Sequence, residues 1–395
     1  RLHCMLRCTI VRPTRCKGCA MADDTHKLMD LALQGGGSHG ALTWGVLDRI
    51  LEDERIEIPA LSGTSAGAMN AVVFADGLHK GGRDGARQAL HDFWKAVSDR
   101  ARFSPIQRSL WDRLTGNYSL ETSPSYHFFE MMTRFFAPSQ FNPFDLNPLR
   151  DLLEATIDFD AVNACTKSKV FVTATNVRTG RGRIFRQGEL SVDTIMASAC
   201  LPFMFKAVEI GGEAYWDGGY IGNPALYPLV DDPTCRDIVI VQINPMRRDE
   251  VPTTARAIMN RVNEISFNSA LVKELRAIHL LHQLIEMEGL ETERYRDVRL
   301  HIIHTADEVQ NLEASSKLNA EWEYLTYLFE RGRGWAEAWL NDHFDDLGER
   351  STIDLDDLFA ATFKPVEAIE DVLAEGTDPP PAPRRRSKPT ARRTG

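Results

Sequence analysis

A three-layer α/β/α fold with a mainly parallel central sheet is what this sequence predicts, and three observations predict it. Two short apolar runs, Leu28–Leu33 and Ile56–Leu61, are each followed by a turn of small residues and then by apolar residues at helical spacing, which makes two successive βα units. Continuous apolar runs return later in "KVFVTATNV" (169–177), "DIVIVQINP" (237–245) and "VRLHIIHT" (298–305), as expected of strands covered on both faces. Long helical patterns, at 253–290 and 317–344, then supply the covering layers.

Taken in order, the first strand is apolar apart from Asp30. The helix after it places Leu42, Val46 and Ile50 on one stripe, with Trp44, Leu47 and Leu51 beside it. The second strand leads through "SGTSAG" into a helix from Ala66, and residues 81–101 continue as helix. Residues 102–150 lose periodicity and gather aromatics, among them Phe103, Trp111, Phe128, Phe135, Phe136 and Phe144. Such a segment is either a wall or lid over a site or an insertion packing its own small core. "RTGRG" turns the 169–177 strand back into "RIFRQ", residues 191–200 read as helix, and "AVEIGGEAYWDGG" reads as a hairpin ending in a tight Asp-Gly-Gly turn. From Glu375 the chain is proline-rich and basic, which predicts a disordered tail over 375–395.

Charge narrows the function. The formal net charge is −10, but residues 1–20 hold five basic residues and 384–395 hold six, with no acid in either. That leaves 35 basic against 56 acidic residues in the body, a charge of −21. An acidic body argues against nucleic acid as a partner. No run approaches the roughly 18 apolar residues of a membrane span, and no apolar segment follows the N-terminus, so the chain reads as cytoplasmic. Four of its seven cysteines (Cys4, Cys8, Cys16 and Cys19) crowd the first twenty residues, a spacing that raises a zinc site. No strand or helix pattern surrounds them, however, and "MADDTHKLMDLALQ" looks like a natural start, so 1–27 is expected to be leader or disordered extension. No metal is expected.

Two glycine-rich turns carry the chemistry. Gly35 to Gly40 spell GxGxxG after a strand, a cradle either for a phosphate or for an oxyanion formed in acyl transfer. A dinucleotide fold wants an acid at the end of the second strand, which here ends Leu61, Ser62, Gly63; Glu52 to Glu54 close the first helix instead. A P-loop wants GK[ST], and "GSHGA" lacks it. "GTSAG" (63–67) is GxSxG between strand and helix, the setting of a nucleophile elbow, with Ser65 at a helix N-terminus. The oxyanion alternative uses both turns, with the N–H groups of Gly36, Gly37 and Ser38 as donors and Gly35 as the spacer. A base is still needed. His39 adjoins the loop but reads as a polar cap or surface residue; Asp217, in "YWDGGYIGNP", can project into a cleft, although alone it would pass for a hairpin turn.

Glycine loop, GxSxG elbow and DGG, in this order over about residues 28–245, resemble the patatin-like phospholipase family, and "ASACLPFMF" (197–205, with Ser198 and Pro202) is similar to the family segment before its catalytic acid. The resemblance implies a patatin-like α/β/α domain over 28–245, followed by a mainly helical C-terminal region, 246–374, packed on the core. It implies a Ser65/Asp217 dyad, an oxyanion loop of Gly35, Gly36, Gly37 and Ser38, and supporting glycines Gly40, Gly63, Gly67, Gly218 and Gly219. Where the family usually carries Lys or Arg, this chain has His39. By the same resemblance the protein is a serine acyl hydrolase acting on lipid carboxylic esters, with no cofactor, and touching a membrane surface transiently. A thioesterase or storage-polyester hydrolase would use the same dyad, and an inactive nucleotide-binding or scaffold protein could keep the motifs without the chemistry.

Overall fold

The computed structural model describes residues 26–289, 296–304 and 314–360. The expectations for the N-terminal cysteines, the leader and the basic tail therefore lie outside the described residues. In chain order the strands are β1 Lys27–Leu28, β2 Asp30–Leu33, β3 Ile56–Glu57, β4 Ala60–Gly63, β5 Lys169–Asn176, β6 Gly182–Arg186, β7 Val208–Ile210, β8 Glu213–Asp217, β9 Asp237–Val241 and β10 Arg299–Ile303. β1 and β3 form a small separate pair; the others make an eight-stranded sheet in the order β10-β9-β2-β4-β5-β8-β7, with β6 also on β5. The run from β10 to β5 is parallel, and the β5, β6, β8 and β7 pairings are antiparallel. Three-layer α/β/α architecture follows, because helices cover both faces.

Alternation along the strands sorts the two cores. Leu31, Leu33, Leu61, Val239 and Val241 face helices Gly40–Glu52, Ala66–Ala101 and Trp322–His343. Ala32, Ala60, Ile238, Ile240 and Leu300 face the other way, onto Leu271, Leu275 and Ile278 of helix Ala255–Glu288. That long helix begins where the Thr254 hydroxyl caps the Ala257 N–H and ends at Gly289 in the left-handed region. Helix Trp322–His343 lies on helix Gly40–Glu52: Trp44 packs on Phe329 with ring centroids 4.1 Å apart, and Leu325, Leu328 and Trp335 are buried between them. Each fully buried leucine contributes about 2 kcal/mol by burial, so this late helix is part of the main core. β10 likewise enters the sheet beside β9.

Helix Ala66–Ala101 is broken by non-helical backbone at Gly81 and Gly82, which is why the pattern reads as two helices. Residues 102–150 are the departure from expectation. They form short helices, Leu110–Thr115, Pro124–Phe135, Pro138–Phe141 and Pro148–Thr156, started by local caps such as the reciprocal Ser109–Asp112 bonds. Helix Pro124–Phe135 buries none of its residues, and Phe103, Trp111, Phe128, Phe135, Phe136 and Phe144 are all exposed. Phe128, Met131 and Phe135 recur at helical spacing there, but the helices of this stretch are short and interrupted at Pro124, Pro138 and Pro148, and the exposed aromatics do not form a small core of their own. No helix among the described residues is long and apolar enough to cross a membrane.

Candidate active site

β4 ends at Gly63 and the next helix starts at Ala66, so Thr64 and Ser65 alone make the turn. Ser65 sits at φ 54°, ψ −120°, left-handed backbone that a residue with a Cβ adopts only under constraint. The constraints are visible. Thr64 Oγ1 donates to the Gly222 carbonyl at 2.6 Å, the Gly67 N–H donates to the Thr64 carbonyl at 2.8 Å, and the Ser65 N–H donates to Ser198 Oγ at 2.9 Å. Ser65 itself stays half-buried at the mouth of this turn, at the helix N-terminus, where partial positive charge favours a developing anion.

Asp217 closes β8 beside β5, which is itself the neighbour of β4. Its N–H donates to the Cys200 carbonyl at 2.8 Å, its carbonyl accepts from Thr175 Oγ1 at 2.8 Å, and its Oδ1 accepts the Gly219 N–H at 2.7 Å. The side chain is 1% exposed. Burial pushes its carboxyl up to about 7, against the smaller opposing pull of the Gly219 N–H, the Ser65 hydroxyl and the Lys317 charge. The Ser65 hydroxyl thus acts on this carboxylate, short of full hydrogen-bond geometry: Oδ2 has no hydrogen-bond partner among the described residues. Gly218 and Gly219 form the turn that follows.

The glycine loop lies against the elbow. A Cβ on Gly35 would stand 2.6 Å from the Thr64 carbonyl oxygen and 2.7 Å from the Ser65 Cβ, so only glycine lets the two turns meet. Gly37 has φ +59°, and a Cβ there would be 2.5 Å from the Lys317 carbonyl oxygen. The Gly35 N–H is taken by Asn223 Oδ1 at 2.7 Å, which makes Gly35 a spacer and not a donor. Among the described residues no acceptor takes the N–H groups of Gly36, Gly37 or Ser38. Gly40 opens the following helix, and Gly63 and Gly67 flank the elbow.

Several participants lie outside the sequence motifs. Asn244 Nδ2 donates to the Gly35 carbonyl at 2.7 Å, and Gln34 Oε1 accepts the Ile243 and Asn244 N–H groups, both at 2.9 Å. Asn223 and Asn244 each precede a proline, Asn223 after the turn that follows β8 and Asn244 just past β9, and that is the one local mark the sequence gives them. Lys317, in the turn Ala314–Leu318, has no such signal. His39 corrects the expectation of a cap or surface residue: it is 1% exposed, makes no cap bond, and its Nε2 lies 2.8 Å from Ser316 Oγ. Burial, helped by the Lys317 charge, holds its pKa well below the ordinary imidazole value, so the ring is neutral. A cavity of about 960 Å³ lined by Gln242, Pro245, Ile302, Trp335 and Trp339 contains none of Ser65, Asp217 or the glycine loop.

A hydroxyl on a strained elbow, a buried carboxylate titrating near neutrality and unpaired backbone N–H groups are the components nucleophilic acyl transfer uses. A family model described as patatin-like phospholipase matches residues 31–230. No curated protein matches the chain. Among solved structures, VipD from Legionella pneumophila is similar at 14% identity and a TM-score of 0.37, over 81% of this chain and 67% of that one. ExoU, in its heterodimeric complex with SpcU from the type III secretion system of Pseudomonas aeruginosa, is similar at 15% identity and a TM-score of 0.32, over 81% of this chain and 52% of that one. The chain thus spans about half the length of that match.

Proposed function

The chain belongs to the patatin-like phospholipase family, and from that premise we propose that it hydrolyses lipid carboxylic esters through an acyl-enzyme on Ser65, with Asp217 as general base. The observation that carries this reading is the buried Asp217 carboxyl, raised to about 7 and acted on by the Ser65 hydroxyl. An ordinary aspartate, with a pKa of about 4, would be too weak a base at neutral pH; desolvation brings this one close to the pH at which it must work.

The Ser65 proton passes to Asp217, whose Oδ2 is otherwise unpartnered. Oγ attacks the ester carbonyl carbon, and the oxygen, now carrying the negative charge, is met by the N–H groups of Gly36, Gly37 and Ser38 and by the helix dipole. Protonated Asp217 then gives its proton to the departing alcohol, leaving the acyl group on Ser65. Water, deprotonated by the same carboxylate, releases the acid. One such N–H donor is worth roughly 3 kcal/mol of barrier. The exposed aromatics of 102–150 fit the role of an apolar surface that meets the aggregated substrate, a lipid bilayer touched transiently.

The test is labelling by a neutral fluorophosphonate together with a panel of carboxylic ester and thioester substrates. Wild-type protein should label and turn over; Ser65→Ala should do neither while keeping its melting temperature. Turnover retained by Ser65→Ala removes the serine from the mechanism, and an exclusive preference for thioesters would move the substrate class.

A further inference from the structure

We propose that Lys317 is a positioning residue of this site: it holds the glycine loop in place and supplies the positive charge that the developing oxyanion meets. The proposal rests on the acyl-hydrolase function proposed above and goes beyond it by adding a residue far outside the matched motifs.

The geometry has two parts. First, the turn Ala314–Leu318 is packed directly on the turn Gly37–His39: a Cβ on Gly37 would stand 2.5 Å from the Lys317 carbonyl oxygen and 3.4 Å from its Cβ. The contact is fastened on one side by His39 Nε2 and Ser316 Oγ, 2.8 Å apart, and by the Tyr324 hydroxyl donating to Ser316 Oγ at 2.9 Å. On the other side the Leu120 N–H donates to Ser315 Oγ at 3.2 Å. Second, Lys317 Nζ donates to Asn244 Oδ1 at 2.7 Å, and Asn244 Nδ2 donates to the Gly35 carbonyl at 2.7 Å. One relay therefore runs from the ammonium to the spacer glycine of the loop.

The charge itself asks for an explanation. Among the described residues no carboxylate lies within ion-pair distance of Lys317, and its ammonium is held in a partly buried position by a neutral amide. An ion drawn from water without a counter-ion is unfavourable, and a methionine or glutamine of similar length would fill the same space without that cost. The titratable groups that face it are the charged Asp217, Glu264 and Arg248 and the neutral His39. None neutralises it in direct contact. An anion forming beside Gly36 and Gly37 would do so, and interactions that strengthen only as charge develops lower the barrier without tightening ground-state binding. The same field favours the ionised form of Asp217, the form the base needs.

The experiment uses the full-length chain with Lys317→Met, Lys317→Gln and Lys317→Arg, a short neutral ester, and the rate of Ser65 labelling by a neutral fluorophosphonate. Lys317→Met and Lys317→Gln should lower kcat tenfold or more with KM within twofold, slow labelling by a similar factor, and move the acidic limb of the pH–rate profile upward. Lys317→Arg should return the limb towards wild type. Glutamine keeps a donor for Asn244 but no charge, so full activity in Lys317→Gln would reduce Lys317 to a structural hydrogen bond and overturn the proposal. So would a loss seen only in KM for anionic lipids, which would mark headgroup recognition. If the wild-type protein neither labels at Ser65 nor turns over ester, the hydrolase function itself fails and the proposal falls with it; wild-type activity with an unchanged Lys317→Met refutes the proposal alone.

Discussion

The pH at which the site becomes active should be set by one buried carboxyl. With Asp217 at about 7, only about 1% of it is carboxylate at pH 5, about half at pH 7 and about nine-tenths at pH 8. A general base works only when deprotonated, so kcat/KM for a short, soluble ester should rise about ninefold from pH 5 to pH 6 and about fivefold more to pH 7, roughly 90-fold in all between pH 5 and pH 8, and then level off. The measurement is initial rate against pH with an ester whose own hydrolysis is corrected for, run beside melting curves so that unfolding is not mistaken for titration. Asp217→Asn supplies the control: it should lose several orders of magnitude in turnover and, in whatever activity remains, the acidic limb as well. His39→Ala, run alongside, should keep that limb, because the neutral ring is turned to Ser316. A rate that is flat from pH 5 to pH 8 in the wild type, or a limb that survives in Asp217→Asn, would refute the assignment of the base.

A second buried acid should make itself felt in stability. Both oxygens of Asp30 lack hydrogen-bond partners among the described residues, and burial, with the nearby Asp232 adding to it, pushes its carboxyl from 3.8 to about 7. The fold favours the protonated form, so its contribution is fully present below about pH 4 and is lost as pH rises to about 7, about 4 kcal/mol in all. Asp30→Asn should flatten that part of the curve and melt higher than wild type at pH 8; parallel melting curves from pH 4 to pH 8 would contradict this. Phe135 and Phe136 are 76% and 46% exposed, so replacing both with serine should leave the melting temperature within a degree or two and cut hydrolysis of long-chain lipid in vesicles several-fold more than that of short soluble esters. Equal losses on both substrates would remove the aromatic surface from lipid binding.

Local chemistry was legible in the sequence and tertiary closure was not. The βα units, the GxSxG turn and the Asp-Gly-Gly turn are patterns of a few adjacent residues, and the structure brings Ser65, Asp217 and the glycine loop together at one end of the sheet. Ser198 lies in "ASACLPFMF", but that its hydroxyl takes the Ser65 N–H depends on where the helix Val192–Ser198, 133 residues further along the chain, is packed. His39 read as a surface residue because a polar side chain beside glycine usually is one; what buries it is a turn 277 residues later. Lys317 belongs to that same turn and has no periodicity, motif or spacing around it. Residues 102–150 were hard to read for a different reason, since their helices are short, three of them begin at prolines, and most of their aromatics are exposed.

The late arrival of that turn has a consequence for the order in which the protein is made. Ser65 and Asp217 leave the ribosome well before Asn244, before Asn268, which accepts from Gln34 Nε2 at 3.2 Å, and before Lys317 and Tyr324. A nascent chain carrying the nucleophile and the base thus has neither the clamp on its glycine loop nor the strand β10 that flanks β9. On the function proposed above, a chain ending before residue 314 carries every motif but lacks these contacts on its glycine loop, and it should hydrolyse esters far more slowly than the full chain.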